Sequence, residues 1–286
     1  MVNVNGEFVS GEKSLNADNR AFLLGDGVFE TLKVVNRKIL FFEDHYFRLM
    51  SAMRIVRMEI PMSFTMEVIE NEILQTVTRN NLQSARVRFT VFRNAGGRYL
   101  PHVNDISYVL SAEAQPTDYS ISQESYEVDL FKDSYISRQL LSTVKTTNRL
   151  INITAAIFAS ENDLQNCFLL NDAKNVAEAI NGNIFMRTGN SVVTPPISDG
   201  CVNGVMRKHV LKLIKDGNRY EIAEAPISPF DLQKADEIFI TNVISGIQPV
   251  SKYRKKHYEN SLGMELQAAL NAEINIVNSA ADFREH

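Results

Sequence analysis

The strongest constraint on the fold is an alternation of apolar and polar residues over 85–91, within a segment that runs to Arg93. Val87, Phe89 and Val91 occupy every second position, and arginine or threonine fills the positions between them. A period of two sends successive side chains to opposite faces of a β-sheet. We therefore predict a strand that packs one face against a core and leaves the other face half-exposed.

Helices and further strands surround this segment. Apolar residues recur at helical spacing in Asp44–Met58 and again at about Ser63–Asn80, which predicts two amphipathic helices. The pair Asn5-Gly6 between short apolar segments indicates a hairpin, and Val28–Val35 and Ile106–Ala112 are predicted strands. This mixture favours an α+β domain with an antiparallel sheet.

The length of the chain predicts more than one domain, because 286 residues exceed the usual size of a single domain. Residues 113–123 lack periodicity and contain Pro116 with several serines and threonines, which is typical of a linker. We predict a small N-terminal α+β domain at 1–115, a linker at 116–123 and a larger C-terminal domain at 124–286.

The larger domain begins with two predicted strands, at Tyr126–Phe131 and Leu140–Thr147. A helix is predicted at about Asn148–Glu161, and short strands follow it in quick succession. A helix that begins at Val205 and a closing helix complete the domain. In the predicted helix at about Asn148–Glu161, the apolar residues at helical spacing are Leu150, Ile153 and Ile157.

Composition argues against several classes of function. Lys and Arg total 30 and Asp and Glu total 34, so the net charge is −4, whereas nucleic-acid binders are usually basic. Two cysteines, Cys167 and Cys201, suffice neither for a disulfide framework nor for a cysteine zinc site, so we expect a reduced, cytoplasmic protein. No apolar run approaches the length of a membrane span. No nucleic-acid, membrane or metal partner is therefore expected.

Four positions are candidates for a functional site. Lys145 lies among β-branched residues, and it is either a surface lysine on an edge strand or a Schiff-base lysine. Glu178 lies between apolar segments, and it is either exposed or the partner of a cation. Gly204 precedes a predicted helix whose first N–H groups can bind an anion, and Arg48 is either an ordinary surface arginine or an anion ligand. Together they match what pyridoxal 5′-phosphate (PLP) requires.

A series of motifs resembles the fold-type IV PLP enzymes, also called class IV aminotransferases. The resemblance covers nearly the whole chain and keeps the family's order. It implies an α+β, two-domain fold similar to D-amino-acid aminotransferases, with a small α/β domain and a larger domain that has a β-barrel-like core. The motifs are Asn19-Arg20, Gly25-Asp26-Gly27-Val28-Phe29-Glu30, His45-Tyr46-Phe47-Arg48-Leu49, Lys145, Glu178 with Asn183-Ile184-Phe185, Gly204-Val205-Met206-Arg207, and Asn242-Val243-Ile244.

The resemblance also implies roles for individual residues. Lys145 would form the Schiff base with PLP and act as the acid and base of the reaction, and Glu178 would bind the pyridine nitrogen. A homodimer and a small substrate with an amino group are expected as well. The residues expected to hold the phosphate side of the cofactor are Arg48, Gly204, Val205, Met206, Asn242 and Val243.

Within the family, several segments resemble the aminodeoxychorismate lyase branch, namely Lys145–Leu150, Arg93–Tyr99 and Val202–Arg207. We therefore predict a 4-amino-4-deoxychorismate lyase of folate biosynthesis. Phe29-Glu30-Thr31 instead resembles the aminotransferases, so a branched-chain or D-amino-acid aminotransferase is the alternative, and a non-catalytic PLP-binding scaffold is a third one. Phe29 and Arg98 are the predicted substrate contacts. Arg98 either acts across the dimer interface or is a solvated loop arginine.

Overall fold

The structure, a computed structural model, describes residues 1–11, 15–121 and 124–282. Contacts within the chain divide it into two compact units. The first is built mainly from Met1–Thr117 and Lys145–Asn148, and the second from Asp118–Val144 and Arg149–Ala280. Residues 122 and 123 of the predicted linker lie outside the described residues.

The first unit is built on one antiparallel sheet. Its strands are β1 (Val2–Val4), β2 (Glu7–Val9), β3 (Gly27–Val35), β4 (Lys38–Ile39), β5 (Ser84–Arg93) and β6 (Ile106–Ala114), and its helices are α1 (Arg20–Leu24), α2 (Phe42–Ile55) and α3 (Met66–Arg79). Across the sheet the order is β2-β1-β6-β5-β3-β4. The long strand β3 therefore lies beside β5 near one edge.

The predicted alternation in β5 is confirmed. Val87, Phe89 and Val91 are buried, whereas Arg86 and Arg88 are half-buried. The buried face meets the apolar sides of α2 and α3, which contact β3, β5 and β6. Because antiparallel partners share a face, the half-buried face of β5 continues across β3 and β6.

The second unit contains two five-stranded sheets. One has the order β12-β11-β10-β13-β14 and the other β16-β15-β7-β8-β9. Side chains from both sheets form one apolar core, and the predicted α+β class is confirmed. The elements are β7 (Glu127–Ile136), α4 (Leu150–Glu161), β8 (Asn166–Asn171), β9 (Val176–Ala179), β10 (Asn183–Thr188), β11 (Ser191–Thr194), α5 (Val205–Gly217), β12 (Glu221–Glu224), α6 (Asp231–Lys234), β13 (Glu237–Asn242), β14 (Gly246–Pro249), β15 (Lys252–Tyr253), β16 (Lys256–His257) and α7 (Ser261–Asp282).

The predicted strand at Leu140–Thr147 is wrong in its first half. Leu140–Thr143 is a short 3₁₀ helix, and the Thr143 hydroxyl donates a hydrogen bond of 2.7 Å to the Leu140 carbonyl. Threonine and serine side chains often bind nearby main chain in this way, in competition with a sheet. The extended backbone begins only at Val144, just before Lys145.

Helix α4 exposes the apolar face that the sequence indicated. Leu150, Ile153 and Ile157 are 68%, 53% and 52% exposed. The helix instead packs through Ala155 and Ala159, which join a core with residues of β7, β8 and β9. A single chain therefore presents an apolar helix face to solvent.

Three further findings concern membrane helices, metal sites and cysteines. Within the described part of the chain, no helix is long and apolar enough to cross a membrane, and no group of His, Cys, Asp and Glu is placed to hold a metal ion. Cys167 and Cys201 are free and buried. Burial raises the thiol pKa of Cys167 to about 11 and that of Cys201 to about 12.

Candidate active site

Lys145 is fixed beside the start of β3 by main-chain hydrogen bonds. The Phe29 N–H donates to the Lys145 carbonyl at 2.8 Å, and the Thr147 N–H donates to the Gly27 carbonyl at 2.9 Å. The Thr147 hydroxyl adds a bond of 2.9 Å to the Gly25 carbonyl. Lys145 is half-buried, so its backbone is rigidly held while its side chain keeps some contact with solvent.

Two cationic side chains lie against the ring of Phe29. Lys145 Nζ lies 4.5 Å from the ring centroid, and the Arg88 guanidinium carbon lies 3.7 Å from it. Both distances are within the range of cation–π attraction. The structure thus brings predicted residues Lys145 and Phe29 together. It adds Arg88, which the sequence analysis had assigned only to the polar face of a strand.

The opposite face of β3 carries a buried charge network. Glu30 accepts hydrogen bonds from Arg48 Nε at 2.7 Å and from Arg48 Nη2 at 2.5 Å. His45 Nδ1 lies 2.7 Å from the same carboxylate, and because an ionised carboxylate can only accept, Nδ1 carries the proton. Arg48 is 17% exposed, and the other two side chains are almost fully buried.

The charge states in this network follow from its contacts. Burial alone would raise the carboxyl pKa of Glu30, but the charge of Arg48 and hydrogen bonds from His45 and Arg48 lower it to about 2. Burial lowers the pKa of His45, and this outweighs the opposing effect of Glu30. Among the described residues, His45 Nε2 has no hydrogen-bond partner, which fits a neutral ring. The network is therefore an ion pair braced by a neutral histidine.

The structure gives Arg48 a partner that the sequence analysis had not foreseen. Arg48 and Glu30 are 18 residues apart, and only the packing of α2 against β3 brings them together. The pairing occupies two of the five N–H groups of an arginine. The phosphate role of Arg48 stays a prediction.

A second buried network holds the loop that contains Arg98. Asp26 Oδ2 accepts from Arg20 Nε at 2.8 Å and from Arg93 Nε at 3.0 Å. Arg20 Nη1 then donates to the carbonyls of Gly96 and Arg98, at 3.0 and 2.7 Å. The main chain of this loop is therefore anchored, through Arg20, to the half-buried Asp26 carboxylate.

The loop turns sharply at Gly97. Its φ is +76°, and a Cβ there would lie 2.2 Å from the Leu100 carbonyl oxygen, so only glycine fits. The Arg98 and Tyr99 side chains that follow are exposed. The structure thus fixes the loop backbone and leaves the Arg98 side chain exposed, and the substrate role of Arg98 stays a prediction.

Glu178 is buried in the second unit. It lies on β9, is 5% exposed, and accepts a hydrogen bond of 2.8 Å from the Val202 N–H. The exposed alternative for this residue is therefore wrong. A buried carboxylate is costly unless polar groups or a cation surround it, so its position favours a charged or hydrogen-bonding partner.

The segment from Val202 to the start of α5 forms a cradle. The Asn183 side chain donates a hydrogen bond of 2.9 Å to the Val202 carbonyl, and a Cβ at Gly204 would lie 2.0 Å from Asn183 Oδ1. Gly204 is the N-cap of α5 and supplies no side-chain cap. The first N–H groups of a helix lack internal acceptors, so those at Val205 and Met206 are suited to an anion.

The turn between β13 and β14 lies close to this cradle, because Asn183 pairs with Thr241 in the sheet. Asn242 Oδ1 accepts from the N–H groups of Ile244 and Ser245, at 2.9 and 2.8 Å. The Val243 carbonyl accepts a hydrogen bond of 2.7 Å from the Tyr119 hydroxyl. The Asn242 side chain thus shapes the turn.

Sequence comparison relates this chain to proteins of several activities. The family model for amino-transferase class IV matches residues 27–253. A protein of Methanocaldococcus jannaschii that carries the name of a branched-chain-amino-acid aminotransferase is 28% identical over 86% of this chain and 85% of its own length. D-alanine aminotransferase of Bacillus licheniformis is 24% identical over 84% of this chain and 83% of its own length. Aminodeoxychorismate lyase of Vibrio harveyi is 26% identical over 82% of this chain and 85% of its own length.

Solved structures share the fold. Branched-chain aminotransferase from Thermoproteus uzoniensis aligns with a TM-score of 0.86 at 21% identity, covering 96% of this chain and 94% of that chain. The 4-amino-4-deoxychorismate lyase from Pseudomonas aeruginosa aligns with a TM-score of 0.82 at 23% identity, covering 94% of this chain and 98% of that chain. These alignments confirm the α+β fold that the motifs implied.

Acid unfolding tests the ionised state of Glu30. Its folded pKa of about 2 lies below the value of about 4.3 in an unfolded chain, so its contribution to stability is present above about pH 4.3 and is lost as the pH falls toward 2. This contribution is up to about 3 kcal/mol. Urea unfolding between pH 2.5 and 7 should therefore show a free-energy difference between wild type and Glu30→Gln that narrows below about pH 4.

The matched control is Glu113→Gln. Glu113 is an exposed carboxylate that pairs with Arg86 on the sheet surface, and exposed pairs contribute little. Its substitution should have a small effect at every pH. If the difference in unfolding free energy between wild type and Glu30→Gln stayed constant down to pH 2.5, the partners of Glu30 would not lower its pKa.

Proposed function

Because this chain belongs to the class IV aminotransferase family, whose members are enzymes that use PLP, we propose that it is a 4-amino-4-deoxychorismate lyase that forms 4-aminobenzoate and pyruvate. The observation that carries the proposal is the loop at Gly96-Gly97-Arg98, which resembles that of the lyase branch. Its backbone is anchored by Arg20 and Asp26, so Arg98 is presented from a fixed base. A substrate with carboxylate groups suits an arginine at this place.

The residues fit the cofactor that the family uses. The helix start at Gly204 lacks a side-chain cap and has no room for a Cβ, which suits N–H groups that bind a phosphate. The buried carboxylate of Glu178 suits a protonated ring nitrogen. When bound, PLP withdraws electrons from the carbon attached to the substrate amine, so a proton there becomes acidic.

We assign the chemical work to Lys145 and Glu178. Lys145 is the residue that would bind PLP, through its Nζ. With a substrate amine in its place, the same Nζ would remove a proton from the reacting carbon and later return one. The Glu178 carboxylate would bind the ring nitrogen and favour its protonated form, whose positive charge stabilises the electrons that the ring accepts. Arg48, the N–H groups of Val205 and Met206, and the Asn242-Val243 turn would hold the phosphate and so position the cofactor.

An aminotransferase is the second candidate, and Glu30 favours it. In the sequence, Phe29-Glu30-Thr31 resembles the aminotransferases rather than the lyases, and Glu30 is integrated into the fold through Arg48 and His45. The relatives named for branched-chain and D-alanine aminotransferases are of similar identity to the lyase. Both reactions begin with the same proton removal, so the residues around Lys145 serve either one.

We also propose a homodimer. The exposed apolar residues Leu150, Ile153 and Ile157 of α4 lie near in sequence to Leu140 and Leu141, which are exposed as well. Clustered exposed apolar side chains are typical of an interface between proteins. A second copy of the chain would cover the same patch on both partners.

Replacement of Lys145 by Ala should remove the Schiff-base absorbance of the PLP-loaded protein and abolish turnover, because no other group is proposed to make that bond or move that proton. Absorption spectra and product formation measure the two effects. Lys132→Ala is the control, since Lys132 is an exposed lysine on β7 and should behave as wild type. Normal turnover in Lys145→Ala would overturn the assignment.

The reaction type is tested by adding substrates one at a time to the PLP-loaded protein. With 4-amino-4-deoxychorismate, we expect formation of 4-aminobenzoate and pyruvate while the Schiff-base band persists through turnover. With branched-chain L-amino acids or D-alanine, we expect the band to stay. Rapid loss of the band with one of these amino acids, together with release of its keto acid, would show an aminotransferase instead.

Introduction of charge at the apolar face of α4 tests the homodimer. The double substitution Ile153→Glu with Ile157→Glu should convert a dimer to a monomer in sedimentation, because like charges from both copies would be buried at the interface. The control is Met62→Glu, at an exposed apolar position in the first unit, which should leave the dimer intact. A wild-type chain that sediments as a monomer would contradict the proposal.

A further inference from the structure

Arg88 and Lys145 share one aromatic ring. The Arg88 guanidinium carbon lies 3.7 Å and Lys145 Nζ lies 4.5 Å from the centroid of Phe29, so the two cations are at most about 8 Å apart. We propose that Arg88 tunes Lys145: its fixed positive charge destabilises the protonated Lys145 nitrogen and keeps it nearer to the unprotonated, reactive form. This role rests on the proposed function of Lys145 and goes beyond it.

The fold holds Arg88 at this place. In the pairing of β3 with β5, Thr31 lies opposite Arg88 and Phe29 lies opposite Thr90. Arg88 is therefore a diagonal neighbour of Phe29 on the same face of the sheet, within reach for a long side chain. Both strands belong to the six-stranded sheet of the first unit, so the guanidinium is presented from a paired strand rather than from a loop.

Lys145 is held to the same strand independently. Its carbonyl accepts the Phe29 N–H at 2.8 Å, so the residue that carries the ring also fixes the backbone of the lysine. The Phe29 ring attracts each cation by a cation–π interaction. This attraction offsets part of the repulsion between the two like charges. The arrangement is built from three residues whose positions are set by one sheet.

A neighbouring cation lowers the pKa of an amine because the protonated form adds a second positive charge. Enzymes activate lysines by such neighbours as well as by burial. For two charges about 8 Å apart in the effective dielectric of a protein, the interaction corresponds to a pKa change of about 1. That change raises the unprotonated fraction of the amine about tenfold wherever the pKa stays above the working pH.

Charged groups near Lys145 in the chain or on the elements beside it belong to β3, β5, α2 and Arg149, whose Nη2 donates to the Val144 carbonyl at 2.8 Å. Glu30 and Arg48 form an ion pair whose charges largely cancel, and the neutral His45 adds none. The charge of Lys145 contributes to the lowered pKa of His45, so this network is within electrostatic reach of the lysine. Because the charges of Glu30 and Arg48 largely cancel, this network does not mask the effect of Arg88 on Lys145.

Two further cations lie on the face that carries Phe29. Lys33 and Arg86 are opposite one another in the pairing of β3 with β5, one pair further along from Thr31 and Arg88 on that face. Arg86 forms an ion pair of 3.2 Å with Glu113, which reduces its field at a distance. Arg86 is therefore a matched control for Arg88, with the same residue type on the same strand and face.

The experiment is a pH titration of the substrate-free, PLP-loaded protein followed by its Schiff-base absorbance. In Arg88→Met, the midpoint should rise by about 1, because a positive charge near the nitrogen is lost. Arg88→Lys keeps the charge and should stay close to wild type, and Arg86→Met should change little. Circular dichroism of each variant verifies folding, and Arg88→Gln replaces Arg88→Met if the latter does not fold.

A second measurement does not depend on the cofactor. NMR titration of the Lys145 amine in the cofactor-free protein, assigned by its loss in Lys145→Ala, should show the same rise in Arg88→Met. If wild type forms no Schiff base, the proposed function fails, while this titration still tests the effect of Arg88. Unchanged midpoints in both titrations would overturn the inference, and a raised KM for carboxylate substrates with unchanged midpoints would make Arg88 a substrate contact instead.

Discussion

The hydrogen bond from the Phe29 N–H to the Lys145 carbonyl is the interaction on which the first half of the site depends. It joins a segment from the middle of the chain to β3, which belongs to the N-terminal sheet. Through it, the lysine acquires the Phe29 ring on one face of the strand and the Glu30 network on the other. A shift of this pairing by one residue would exchange the two faces, so the register fixes the chemistry around the lysine.

Buried charge is the second theme of the structure. Glu30 with Arg48 and Glu178 with the Val202 N–H place buried carboxylates against fixed donors, and the half-buried Asp26 does the same with Arg20 and Arg93. Such groups contribute little net stability compared with apolar side chains, but they accept only one arrangement of partners. Each one here fixes a segment that the proposed reaction uses: the α2 arginine, the loop before Arg98, and the cradle at α5. Each of them therefore orients its segment, in addition to any contribution to stability.

The sequence predicted the parts of this site that depend on local pattern. The alternation in β5 follows from spacing, the start of α5 was placed just after Asn203-Gly204, and both are confirmed. The extended segment around Lys145 was placed too early, because local hydrogen bonds at Leu140–Thr143 outweigh the preference of β-branched residues for strands. The contacts of Arg88 and of Glu30 were missed because they depend on strand register and on helix packing. Neither of these is encoded in the spacing of one segment.

The two candidate reactions share their first step, so the groups that perform it cannot decide between them. What differs afterwards is whether a leaving group departs from the substrate or a proton returns to the cofactor. That choice depends on how the rest of the substrate is held, and the residue proposed to hold it is Arg98 on its anchored loop. A substrate with several carboxylates would be oriented by an arginine there, whereas a branched apolar side chain would gain little from it. The proposed lyase and the alternative aminotransferase therefore differ in what Arg98 would bind, even though Glu30 follows the aminotransferase pattern.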